Sequence, residues 1–310
     1  MRGDCLNARV LRHQNGKINI SFSKQPTILH PTTNRQHLNE GKVANEIENL
    51  FSNFIGDLEI KKNVLEIYAM KQMNEKRRDM GLFTTKQVLH MIFTGNPGTG
   101  KTSIARELAK ILYRLNILSR GHFIEVERAD IVGEYIGQTA QKTKAIFQKA
   151  LGGVLFIDEA YALARGGQKD FGREAIDTIV KQMEDHSEDV VLILAGYPKE
   201  MEHFISLNPG IISRFPFQLH FEDYCIGDLI NIAHQMVEKR EYKLSRGAIN
   251  KLYDIIYQAK IDHYQNFSNG RYVRNIIEQS IRKQAIRLYQ QNNMTLTELQ
   301  LLTEDDIQPF

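Results

Sequence analysis

The nine residues GNPGTGKTS, Gly95 to Ser103, restrict the possible folds of this chain more than any other stretch. Three glycines, a proline and a lysine make the composition of an exposed turn. Yet the apolar run VLHMIF stands before them, and IARELAKIL follows with apolar residues at helical spacing. A permissive backbone wedged between a strand and a helix is what a phosphate cradle needs. Gly95, Gly100, Lys101 and Thr102 satisfy G-x-x-x-x-G-K-[ST]. In such a loop the backbone folds closely round an anion with its N–H groups pointing inward. The helix that follows aims the positive end of its dipole at the same point. Asn96, Pro97, Gly98, Thr99, Gly100, Lys101, Thr102 and Ser103 are therefore the expected nucleotide-binding residues. Lys101 supplies a compact charge to the outer phosphates, and Thr102 is a ligand for Mg²⁺.

A second motif belongs to the same chemistry. VLFIDEA runs four apolar residues, Val154 to Ile157, into Asp158 and Glu159. A buried strand of this kind presents its carboxylates at its C-terminal edge, where open α/β sheets bind ligands. Asp158 is the expected second Mg²⁺ residue, and Glu159 the expected group that orients or deprotonates an attacking water. The sequence thus calls for ATP and Mg²⁺ as ligand and cofactor.

Alternation of elements extends around both motifs. Strand-like runs occupy 88–94, 123–126, 154–157, 190–195 and 217–221, with helical patterns near 102–115, 138–150, 172–186 and 198–206. Short apolar strands separated by helices predict a five-stranded parallel sheet flanked by helices. After Tyr224 the strand signals stop, and three helical patterns imply a small all-helical unit, with Ser245 as an N-cap. The expected organisation is an irregular basic arm at 1–41, an α/β nucleotide-binding domain with linker helices at 42–223, and a helical lid at 224–310. A short hairpin is expected in the arm at GKINISFS.

Charge and composition exclude several classes. Net charge is +3, but residues 1–40 hold six Lys/Arg against Asp4 and Glu40, which leaves −1 for the rest. A body of that charge has little electrostatic pull on nucleic acid. Cys5 and Cys225 lie far apart and the ten histidines show no ligand spacing, so neither a disulfide framework nor a zinc site is supported. No run of 18 apolar residues and no secretory h-region occurs, so the expected setting is the cytoplasm, with no membrane partner.

The acceptor of the phosphoryl group is the next question. Glu159 directly after the Mg²⁺ aspartate suits water as nucleophile. Arg214, in NPGIISRF just before the last strand, would lie far from its own phosphate loop in this topology. It suits a site completed by a neighbouring subunit, where an arginine is worth about 10³–10⁵ in rate. Taken together, Gly95–Thr102, Val154–Glu159 and SRF resemble the AAA+ ATPases over about residues 45 to 310. The resemblance implies a P-loop α/β domain with a helical lid, and a homo-oligomeric ring, usually a hexamer. It implies that Ile55 and Gly56 line the adenine pocket. It also implies that Arg271, at the opening of the third lid helix, touches the γ-phosphate, with Arg274 as competitor. Tyr135, Ile136 and Gly137 match the aromatic–hydrophobic–Gly loop that lines the pore of threading machines, and Ala164–Gly172 suggests a second such loop.

Within AAA+, the stretches HMIFTGNPGTGKTSIAR, VGEYIGQTAQKT, VLFIDEAYALARGG, ILAGYPKEM and GRYVRN resemble the subgroup of stage V sporulation proteins K and red-type Rubisco activases. They lean to the sporulation side. One departure from the wider family is Ala195–Gly196–Tyr197 at the end of the fourth strand, where a polar sensor usually stands. Tyr197 is a weak replacement. The expected activity is ATP hydrolysis that remodels a protein substrate. Rubisco activation, a DNA-linked motor and a nucleotide-gated scaffold are the competing readings.

Overall fold

The computed structural model describes residues 7–12, 18–23, 58–84, 87–135, 137–166, 170–207, 209–262, 267–290 and 295–309. The chain divides into two compact units, Met1–Asn45 and Glu46–Phe310. In the first, β1 (Asn7–Arg12) pairs antiparallel with β2 (Ile18–Ser23). The hairpin expected at 16–23 thus includes a strand that begins upstream.

The second unit opens with α1 (Leu58–Asp79). A parallel sheet follows, built from β3 (Met91–Gly95), β4 (Phe123–Val126), β5 (Val154–Ile157), β6 (Val191–Gly196) and β7 (Phe217–Phe221) in the order β4-β5-β6-β3-β7. Every residue of β5 and β6 is buried, as expected for strands covered on both faces. The edge strands β4 and β7 keep partly exposed residues. The connecting helices are α2 (Lys101–Arg114), the single turn α3 (Arg128–Ile131), α4 (Gln138–Ala150), α5 (Gly172–Asp185), α6 (Pro198–Leu207) and the short α7 (Pro209–Ile212). Phe147, Leu155, Ile157, Leu194, Phe204 and Phe215 belong to the core on one side of the sheet.

After β7 the chain forms α8 (Ile226–Glu238), α9 (Arg246–Asp262), α10 (Asn269–Tyr289) and α11 (Leu296–Gln300). The first three pack round their own core, which includes Leu229, Val237, Leu252, Ile256, Val273 and Ile276. Ser245 caps α9 as expected, its Oγ accepting from Ala248 N at 3.1 Å. One detail differs from the all-helical expectation. Two-residue strands β8 (Lys243–Leu244) and β9 (Leu301–Leu302) pair in parallel within the lid. Two residues are too few to show a period-2 signal.

Register aligns the ends that matter. Ile157 pairs with Leu194, and Thr94 with Gly196. The segments leaving β3, β5 and β6 therefore emerge together at the C-terminal edge of the sheet. Among the described residues no helix is long and apolar enough to cross a membrane.

Candidate active site

The loop from Gly95 to Gly100 bends back over the end of β3. Gly98 (φ 72) and Gly100 (φ 92) occupy the left-handed region, where an L side chain is strained. A Cβ at Gly98 would also stand 2.2 Å from Ser268 O. Thr99 Oγ1 pins the loop by donating to Asn96 O at 2.9 Å. Gly100 caps α2 without any side-chain hydrogen bond, and the first turn holds no acidic residue. The amides at this helix start are thus left to an external anion.

Lys101 is only 8% exposed. Its Nζ donates to Gly95 O at 2.7 Å and Asn96 O at 2.9 Å, and it lies 5.8 Å from the ring centroid of Tyr197. Burial pulls its pKa down to about 8, against the raising effect of the Asp158 carboxylate, while Arg271 adds to the lowering.

A cleft of about 860 Å³ collects Gly98, Lys101, Thr102, Asp158, Glu159 and Arg271. Pro97, Gly100, Ser103 and Arg274 line it too. Asp158 Oδ1 accepts from Glu159 N at 3.0 Å, and its Oδ2 makes no hydrogen bond among the described residues. Thr102 and Asp158 are hard oxygen donors on one wall, a pairing that fits Mg²⁺. Glu159 itself is held at φ 47, ψ 44, an uncommon backbone for a residue with a side chain, and caps the 3₁₀ turn Ala160–Ala164.

The end of β6 carries a phenol pair in place of an amide. The Tyr161 and Tyr197 rings lie 5.7 Å apart. The Tyr161 hydroxyl is buried and makes no close hydrogen bond among the described residues. Burial, and then the negative charge of Glu159, pushes the pKa of both phenols up. Tyr197 lines the cleft. Arg271 and Arg274 both line the cleft, and the charge of Arg271 acts on Lys101 and Tyr197.

Arg214 stands elsewhere. Its guanidinium pairs with Glu184 and donates through Nη1 to Gly210 O at 2.6 Å, and it is not among the residues of the cleft. Tyr135 is 68% exposed and also lies outside the cleft. Gly137 caps α4 at φ 83 with open space where a Cβ would sit. The loop beyond Ala164 is anchored at its far end, where Asp170 accepts from Arg128 Nη2 at 2.7 and 2.9 Å. Ile55, Gly56 and Ile136 lie outside the described residues.

Three participants were not singled out from sequence. Asn269, Asp223 and Tyr224 form a polar seam between the phosphate loop and the lid. They carry no motif, because their role exists only where the two segments meet.

Comparison with known proteins agrees with this geometry. The description "ATPase family associated with various cellular activities (AAA)" matches residues 91–223, and "AAA lid domain" matches 226–310. Stage V sporulation protein K of Bacillus subtilis is 49% identical over 97% of either chain. Protein CfxQ of Xanthobacter flavus is 40% identical over 86% of this chain and 84% of its own. The chloroplastic ribulose bisphosphate carboxylase/oxygenase activase of Cyanidioschyzon merolae is 39% identical over 84% of this chain and 89% of its own. The crystal structure of the FIGL-1 AAA domain superposes with a TM-score of 0.57 at 17% identity, covering 91% of this chain and 93% of that one. That likeness concerns the fold. With a phosphate loop and paired carboxylates at one sheet edge and a helical lid beside them, the chain belongs to the AAA ATPase family.

Proposed function

We propose that this ATPase uses Mg²⁺-dependent hydrolysis in a ring of identical chains, usually six in this family, to remodel a protein substrate by pulling on it through the central pore. The observation that carries the reading is a division of labour. Lys101, Asp158, Glu159 and Arg271 line one cleft, while Arg214 and Tyr135 are not among its lining residues. The first group suits chemistry within a chain. The second suits action on a neighbour and on a substrate.

The backbone amides from Asn96 to Ser103 hold the phosphates, and Lys101 neutralises the outer pair. Thr102 and Asp158 would hold Mg²⁺, which would supply charge stabilisation on the phosphate oxygens. Glu159 orients a water toward the γ-phosphorus and takes its proton. The oxygen–phosphorus bond to the β-phosphate breaks, leaving ADP and inorganic phosphate. Arg271 meets the γ-phosphate from the lid, and Arg214 of an adjoining copy stabilises the transition-state charge. By family resemblance, Ile55 and Gly56 flank the adenine. Tyr135, Ile136 and Gly137 grip an extended polypeptide, the aromatic ring supplying apolar area without sequence preference. The −1 body charge argues against nucleic acid as the track. We place the protein in the cytoplasm and, from its likeness to a sporulation protein, in spore formation.

Phosphate release by the full chain tests the chemistry. Glu159→Gln should keep ATP affinity and lose about 10²–10⁴ of turnover. Tyr135→Ala should keep turnover and lose remodelling of proteins trapped on the Glu159→Gln variant, and retained remodelling would reject the pore loop. One observation favours a second target. A relative at 39% identity is named as an activase of ribulose bisphosphate carboxylase/oxygenase. Failure to reactivate inhibitor-blocked red-type Rubisco would set that target aside.

A further inference from the structure

Asn269 opens α10 with a left-handed backbone at φ 43 and no exposed surface. Its Oδ1 accepts from Tyr224 N at 3.0 Å. Its Nδ2 donates to Asp223 Oδ1 at 2.7 Å, to Phe267 O at 3.0 Å and, at a longer 3.4 Å, to Pro97 O. One amide thus joins the hinge after β7, the start of a lid helix and the phosphate loop.

The neighbouring bonds repeat this connection. Gly270 N donates to Gly98 O at 3.0 Å, and Tyr224 Oη to Thr99 O at 2.9 Å. Asn96 Nδ2 donates to both Asp223 oxygens at 3.0 and 3.1 Å. From the lid, Lys260 Nζ donates to Tyr224 O at 2.5 Å. At this seam a set of directional bonds runs between the phosphate loop, the segment after β7 and the lid. Such bonds contribute modestly in net terms but are costly when one buried partner is removed.

Arg271 stands two residues after Asn269 and lines the cleft. We propose that Asn269 is a positioning residue, whose amide holds the start of α10 on the phosphate loop so that Arg271 meets the terminal phosphate of ATP. The lid then distinguishes triphosphate from diphosphate only while this amide is in place. The inference rests on the reading above that Arg271 contacts the γ-phosphate.

Asn269→Gly tests it in the full chain, because glycine keeps the left-handed backbone and deletes the amide. Fluorescent ADP and a fluorescent non-hydrolysable ATP analogue are titrated into wild type, Asn269→Gly, Arg271→Ala and the double variant. Asn269→Gly and Arg271→Ala should each weaken the triphosphate analogue about tenfold and change ADP less than about twofold. The double variant should match Arg271→Ala alone within about twofold, since one residue acts through the other. Equal weakening of both nucleotides by Asn269→Gly, or an additive double variant, would overturn the proposal and leave a merely structural amide. An effective Arg271→Ala with a silent Asn269→Gly overturns the positioning role alone. A silent Arg271→Ala overturns the γ-phosphate reading and this inference together. If Asn269→Gly does not fold, Asn269→Asp, which keeps the acceptor for Tyr224 N but not the donor, is judged by the same ratios.

Discussion

At Lys101, burial and neighbouring charge act in opposite directions, and burial wins. Its pKa of about 8 means that the ammonium is intact below that pH and lost above it. A bound triphosphate favours the charged form, so ATP affinity should fall as pH rises past 8, by up to about tenfold per pH unit. Nucleotide titrations from pH 7 to pH 9 would show this slope in wild type and not in Lys101→Ala. His90 gives a second pH dependence, far from the cleft. It is buried, and its Nδ1 accepts from Leu192 N at 3.1 Å. Burial lowers its pKa from 6.5 to about 4. The neutral ring therefore stabilises the fold fully above pH 6.5, and that contribution is lost as pH falls toward 4. The loss should approach about 3 kcal/mol at the acid end. Urea unfolding at pH 7 and pH 5 should show a drop in the wild type that His90→Gln lacks. The residues of the phosphate loop were legible because their spacing is local. The Tyr161–Tyr197 pair was not, since Tyr161 reads in sequence as one more residue of an apolar turn.

Elements were legible where burial on both faces makes a strand apolar throughout. The runs read at 123–126, 154–157 and 217–221 are the strands β4, β5 and β7. Periodicity fails for pieces as short as β8 and β9, or for the single turn α3. Yet α3 has a clear structural task. Its Arg128 donates to Ala162 O at 2.7 Å, just past Glu159, and to Asp170 near the end of the 164–172 loop. It also directly precedes the loop that carries Tyr135. Asp170 is half-buried, and desolvation favours its neutral form, but the hydrogen bonds from Arg128 and then from Gly172 N outweigh this and hold its carboxyl low. Arg128→Ala leaves that carboxylate without its partner and should cost about 2 kcal/mol. Hydrogen exchange should quicken in peptides spanning 158–172 while the peptide holding β3 stays protected. Unchanged exchange there would remove Arg128 as the anchor of that loop.

At the scale of the whole molecule, the position of Arg214 is decisive. Its guanidinium lies outside the cleft of its own chain and pairs with Glu184 at the surface, so in the proposed mechanism it serves the site of another chain. Turnover per chain should therefore fall on dilution. Lys101→Ala and Arg214→Ala should each be inactive alone, whereas an equal mixture should regain about a quarter of its sites through head-to-tail pairing. A mixture as silent as its components would place the completing arginine elsewhere. The amino-acid sequence by itself determined the phosphate cradle, the carboxylate pair and the alternation of strands and helices, because each is written in residues close along the chain. Only the tertiary structure decided that Tyr161 meets Tyr197 and that Asn269 grips the phosphate loop. Those placements follow from the strand order β4-β5-β6-β3-β7 and from the lid folding back over the sheet edge. Local periodicity carries no information about which distant segments will be neighbours, since many sheet orders satisfy the same pattern of burial.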